Sequence, residues 1–220
     1  MEKFEDDGTW IWVSFAPEYR LILAHYNGPR IQESANIIIN KTKERLSSLP
    51  MFCSDGLRHY EEALLQAYSH LREFKRTGKV GRPRKPKHIP YPDLKYGQVV
   101  KRRKGGHLVS VEKRIVFGKN INLKEISTSL LERQNLTFRQ DNNRISRKTI
   151  GFSKEESGLD DQITLYSAHF NFCRTHRALS YVDENGKKML NCPAKEYGLI
   201  DHNWSLKELL TFPYHKISTN

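Results

Sequence analysis

The sequence predicts an α/β fold, a mixed sheet flanked by helices, with a basic insertion that contains a β-hairpin. Three observations carry that expectation. Strand-like and helix-like runs alternate from the start of the chain in the order strand, strand, helix, strand, helix. Hydrophobic residues make up 37% of 220 positions, enough to fill one sizeable core. No run approaches the roughly 20 apolar residues of a membrane-spanning helix, and the acidic opening Met1-Glu2-Lys3-Phe4-Glu5-Asp6-Asp7 lacks the apolar stretch of a signal peptide. A cytoplasmic protein without membrane partners is expected.

The elements follow in order. Trp10 to Phe15 and Leu21 to Tyr26 are rich in β-formers and flank a turn at Ala16-Pro17-Glu18, which reads as a hairpin. Ala35, Ile38, Ile39, Thr42 and Leu46 recur at helical spacing from Gln32 to Leu46, and Pro50 stops any continuation. Met51-Phe52-Cys53-Ser54 is a short apolar strand that delivers Asp55-Gly56 at its end, and Leu57 to Phe74 is expected to be helical. Gly78, Gly81, Pro83, Pro86 and Pro90 make Lys75 to Tyr91 extended rather than helical. Gln98 to Arg103 and Leu108 to Phe117 form a second hairpin around Lys104-Gly105-Gly106, giving it a basic tip. Leu131, Phe138 and Ile145 suggest a helix from Ser129 to Lys148, with Glu132, Asn135, Arg139 and Asn143 as a polar stripe. Leu159, Ile163, Tyr166, Phe170 and Cys173 mark the clearest amphipathic helix, and Ser205-Leu206-Lys207-Glu208 is a capping box.

Charge is concentrated. The whole chain carries +12, yet from Arg72 to Lys104 thirteen basic residues face only Glu73 and Asp93. Clustered cations bind phosphates by displacing condensed counterions, so a polyanion, nucleic acid first, is the expected partner. Arg82, Arg84, Lys85 and Lys87 lie in Val80-Gly81-Arg82-Pro83-Arg84-Lys85-Pro86-Lys87, which resembles an AT-hook with Val80 where that motif has Arg. Lys101, Arg102, Arg103 and Lys104 form the other patch. Cys53, Cys173 and Cys192 are odd in number and lack a Cys-x-x-Cys pair, so they read as reduced, buried thiols rather than disulfides or zinc ligands.

Several stretches together resemble one family. Cys53-Ser54-Asp55-Gly56 with Tyr60-Glu61-Glu62-Ala63, then Ser129-Leu130-Leu131-Glu132-Arg133-Gln134-Asn135-Leu136-Thr137-Phe138-Arg139, then Arg147-Lys148-Thr149-Ile150-Gly151-Phe152-Ser153-Lys154, are similar in content and order to the catalytic half of small prokaryotic insertion-sequence transposases of the DDE class. His169 to Leu179 and Cys192-Pro193-Ala194 onwards extend the likeness. The resemblance implies a ribonuclease-H-like, integrase-like domain that cleaves and joins DNA at transposon ends and target, as a homo-oligomer when active. It implies two Mg²⁺ (or Mn²⁺) ions held by an Asp, Asp, Glu triad, because hard ions stabilising attacking and leaving oxygens take carboxylate ligands. Asp55 maps onto the second Asp and Glu132 onto the Glu, as catalytic residues and metal ligands; Arg133 and Arg139 would contact DNA beside it.

The first Asp of that triad is not evident. The family's core has three antiparallel strands before its first helix, and this chain offers two. Asp6 and Asp7 imitate the missing position only superficially, so a truncated or frameshifted copy, or a wrongly chosen start codon, is expected, with little strand-transfer activity from this chain alone. Its organisation would be residues 1–74 and 120–179 for the two parts of the catalytic domain, 75–119 for the basic insertion, and 180–220 for a C-terminal tail. The alternative is a non-catalytic, basic DNA-binding remnant that competes with the intact enzyme.

Overall fold

A computed structural model of the chain describes residues 9–74, 84–146, 150, 151, 153 and 155–213. The protein is mixed α/β. Strands β1 (Trp10–Ala16) and β2 (Leu21–Gly28) form an antiparallel hairpin, and α1 (Gln32–Lys43) crosses to β3 (Met51–Asp55). Helix α2 (His59–Ala67) follows, then β4 (Ser69–Arg72), which pairs antiparallel with β5 (Lys87–Pro90). The long strands β6 (Lys95–Lys104) and β7 (His107–Phe117) complete a mixed three-stranded sheet of order β3-β6-β7, parallel at β3/β6 and antiparallel at β6/β7. Helices α3 (Ser129–Asp141) and α4 (Glu156–Phe172), the small hairpin β8 (His176–Val182) and β9 (Lys188–Asn191), and short helices α5 (Pro193–Tyr197) and α6 (Leu206–Thr211) end the described chain. The capping box at Ser205 and Glu208 is present as read from the sequence.

The first hairpin is buried on both faces because its residues are apolar in both registers. Trp12 packs with Ala35, Ile38 and Ile39 of α1 and Ala63 and Leu64 of α2, in a cluster that also holds Tyr96 of β6. Ile11, Val13 and Phe15 point the other way, into a second cluster built by Phe138 of α3 and Leu159, Ile163 and Phe170 of α4. Alternation along one strand thus feeds two cores. Asn171, on α4, accepts the Ile22 amide through Oδ1 at 3.0 Å and donates from Nδ2 to the Ile22 carbonyl at 2.9 Å, which satisfies both backbone groups of that residue.

Three sequence expectations are corrected here. Helix α2 stops at Ala67 rather than Phe74: Tyr68 leaves helical geometry at φ −129°, buries its ring beside Phe52, and the chain continues as β4. Its partner β5 lies beyond Arg84, and such a long-range pairing leaves no local periodicity. Helix α3 stops at Asp141 rather than Lys148. The buried Asn142 donates back to the Phe138 carbonyl and accepts from Gln162, a side-chain bonding pattern that competes with helix continuation. Of the three cysteines, all free, only Cys192 is buried; Cys53 and Cys173 are half-exposed. The second hairpin is continuous with the mixed sheet, where Lys95 to Val99 of β6 pair with the whole of β3.

Candidate active site

Asp55 and Glu132, the two carboxylates singled out in the sequence, line the same cleft, a space of about 2720 Å³. They reach it from different directions. Asp55 is the last residue of β3, paired in register with Val99. Its Oδ1 accepts the Leu57 amide at 3.1 Å, an Asx-type turn that ends the strand and starts the approach to α2. Beneath it runs a hydrogen-bond chain that the sequence did not reveal. Arg114 Nε donates to Gln98 Oε1 at 2.7 Å, Gln98 Nε2 to the Tyr96 hydroxyl at 2.6 Å, and that hydroxyl lies 2.6 Å from Ser54 Oγ, which donates at 2.7 Å to the Asp55 carbonyl. Gln98 and Tyr96 are fully buried, and burial next to the Asp55 charge pushes the Tyr96 phenol up to about 12. The phenol therefore stays neutral and can keep both donating and accepting. The chain ties the end of β3 to β6 and β7.

Glu132 is in the first turn of α3, where a carboxylate suits the helix dipole. A close packing contact sets that helix start. Gly97 of β6 faces Ile126, which is fully buried; a Cβ at Gly97 would lie 2.5 Å from Ile126 Cδ1. Only glycine lets the segment before α3 lie so close to the strand. Four residues further along β6, Lys101 Nζ meets Glu132 Oε1 at 2.6 Å and Oε2 at 2.5 Å, and Thr128 Oγ1 donates to Oε1 at 2.7 Å. Partial burial opposes ionisation of Glu132, but the hydrogen bonds from Lys101 and Thr128 and the charges of Lys101 and Arg103 outweigh it, so the carboxyl sits below its ordinary range.

The cations divide into two groups. Arg103 and Arg139 line the cleft together with Lys101. Lys101 and Arg103 are nonetheless exposed, and Arg102, Lys104, Arg133, Arg84, Lys85 and Lys87 are exposed and stand outside the cleft lining. Arg102 makes a loose pair with Glu112 at 3.4 Å, and Arg84 lies over the Phe74 ring at 5.8 Å. Arg82 and most of the AT-hook-like core lie outside the described residues, as do Asp6 and Asp7. The distal half of β6 and nearly all of β7 are exposed, so Lys101 to Lys104 stand on a two-stranded arm.

A two-ion centre needs more than this. Among the described residues no group of three or more His, Cys, Asp or Glu side chains is placed to hold a metal. Asp55 and Glu132 offer hard oxygen donors of the right kind, but the Glu132 carboxylate is already engaged on both oxygens by the Lys101 ammonium. The donor set present does not by itself fit two divalent ions. Comparison with known proteins adds no name: no family model, no curated protein and no solved structure matches the chain. No helix among the described residues is long and apolar enough to cross a membrane.

Proposed function

We propose that the chain is a ribonuclease-H-like catalytic domain of a DDE-class transposase, acting on transposon-end and target DNA, and that alone it binds DNA with little strand transfer. The observation that carries this reading is that Asp55 and Glu132, far apart in sequence, line one cleft together with Lys101, Arg103 and Arg139. Carboxylates flanked by cations suit a phosphodiester held beside hard metal ions. Asp55 and Glu132 would hold Mg²⁺ or Mn²⁺ only if the missing third carboxylate is supplied, and a homo-oligomer would bring two DNA ends together. The engagement of Glu132 by Lys101 favours a second reading, a basic DNA-binding protein without catalysis.

Calorimetric titration with Mn²⁺ and a plasmid-nicking assay separate the two. The transposase reading expects weak Mn²⁺ binding that both Asp55→Asn and Glu132→Gln abolish. Binding of duplex DNA with no metal affinity at either residue leaves the second reading alone, and failure to bind duplex at low salt removes both.

A further inference from the structure

We propose that Lys101 is a cation plug on Glu132 that a phosphodiester removes: its ammonium closes the carboxylate in the free protein, and a backbone oxyanion of the bound nucleic acid draws it away, opening Glu132 to a divalent ion. The inference rests on the DNA reading above and adds a regulation of the same site. It starts from the misfit between the donor set and a metal centre. Lys101 Nζ lies 2.6 Å from Glu132 Oε1 and 2.5 Å from Oε2, so the position in front of the carboxylate is taken by a positive charge of the protein's own. Thr128 Oγ1 holds Oε1 as well, at 2.7 Å. A divalent ion reaches both oxygens only by displacing the ammonium, because two cations crowded on one carboxylate repel each other.

Three features make this plug removable. The pair is open to water, with 34% of the Lys101 side chain and 49% of the Glu132 side chain exposed, and an ion pair in that setting is weak. A lysine ammonium is a point charge on a flexible stem, so it can turn to another oxyanion while β6 stays in place. A place for that oxyanion lies beside the pair. A hollow of about 180 Å³ is lined by Lys101, Lys113, Ser127, Thr128, Ser129 and Glu132. Lys113 Nζ donates to the Leu123 carbonyl at 3.1 Å, and the Ser127 and Ser129 hydroxyls lie 2.9 Å apart. Two ammoniums and several hydroxyls around one carboxylate suit the oxygens of a phosphodiester. Arg103 supplies the contrast. It acts on Glu132 through its charge, while its guanidinium donates to the Gly106 carbonyl at 3.3 Å. Lys101 therefore blocks the carboxylate, and Arg103 only adds to the positive potential around it.

The test reads Glu132 itself and needs no turnover. Mn²⁺ held at Glu132 broadens the amide NMR signals of Ser129 to Arg133 in the full chain, and titrating the ion gives its affinity. Lys101→Met, which keeps an unbranched stem and removes the charge, should tighten Mn²⁺ by at least about tenfold over the wild type. Arg103→Met removes a nearby charge but no plug, and should tighten it by less than about threefold. A short duplex at low salt should tighten Mn²⁺ in the wild type by about as much as Lys101→Met does, and Mn²⁺ should tighten the duplex by the same factor. In Lys101→Met, where no plug remains, the duplex should add markedly less. Glu132→Gln should erase the broadening with and without duplex, which separates ions held by the protein from ions carried by DNA. The proposal is overturned if Lys101→Met binds Mn²⁺ no tighter than the wild type or than Arg103→Met. It is equally overturned if the duplex leaves the wild-type Mn²⁺ affinity unchanged, or if the broadening survives Glu132→Gln. Failure of the transposase reading looks different: Mn²⁺ at Glu132 that Asp55→Asn leaves in place shows that the two carboxylates share no ion, and the exchange at Lys101 stands.

Discussion

The two long hairpins of this protein have the same secondary structure and opposite surroundings. In the β1/β2 hairpin apolar residues occupy both faces, and each face is covered by a helical layer. In the β6/β7 hairpin the character changes partway along: Tyr96, Gln98 and Val99 at the root are buried, while Arg102, Arg103 and Lys104 near the tip are exposed. The contrast teaches that a strand pair is scaffold where both side-chain rows are apolar, and becomes an arm where one sequence step replaces them by cations. The carboxylate cleft lies where the scaffold ends and the arm begins, which is why Lys101, the first cation of the arm, contacts Glu132.

Stability should therefore be lost through the first hairpin and through the root of the second, but not through its tip. The largest effect is expected for Trp12→Ala, which empties the centre of the first cluster and should cost about 3–5 kcal/mol, lowering Tm by roughly 10 °C in a thermal scan. A loss under about 1 kcal/mol would mean the hairpin contributes little to the core. Gly97→Ala comes next, at about 1–3 kcal/mol, because its Cβ meets Ile126. Combining it with Ile126→Val should recover part of that loss; strict additivity in urea titrations would show that the two side chains are not in conflict.

Acid should weaken the first-hairpin side of the molecule. His176 packs against Phe170, with Nε2 buried and unpartnered, and burial followed by the charges of Arg174 and Arg20 lowers its pKa from 6.5 to about 4. Between those values the unfolded chain binds a proton that the folded chain refuses, so stability falls as pH drops from about 6.5 to about 4. His176→Gln should flatten that slope, and an unchanged pH profile would place the sensitivity elsewhere. The smallest effect on stability, under about 0.5 kcal/mol, is expected from replacing Arg102, Arg103 and Lys104 together by Ala. The same variant should lower the slope of log affinity for duplex DNA against log salt by roughly 2–3, and an unaltered slope would show that the arm does not meet phosphates.

Much of this architecture was legible in the sequence, for reasons that differ by region. The first hairpin, α1, β3 and α4 carry strong local periodicity, and Gly105-Gly106 announces the turn of the second hairpin. Asp55 and Glu132 were singled out through a resemblance alone; both line the cleft, and their catalytic role belongs to the proposal above. What was not legible depends on partners distant in the chain. The pairing of β4 with β5, the parallel contact of β3 with β6 and the seating of Ile126 on Gly97 leave no trace in any short window. The polar chain through Gln98 was missed for the same reason: its residues come from β3, β6 and β7, and a lone Gln between Gly97 and Val99 reads as an exposed strand position.

At the far end of the arm, Gly105 and Gly106 take φ values of +59° and +83°, and a side chain added at either would meet open space. The apex is thus constrained in torsion and by the Arg103 guanidinium on the Gly106 carbonyl, yet open around its side-chain positions. A fluorophore on His107→Cys, one residue past the apex, in a chain whose half-exposed Cys53 and Cys173 are replaced by Ser, would ride on the arm, and its emission would report the approach of a polyanion in real time.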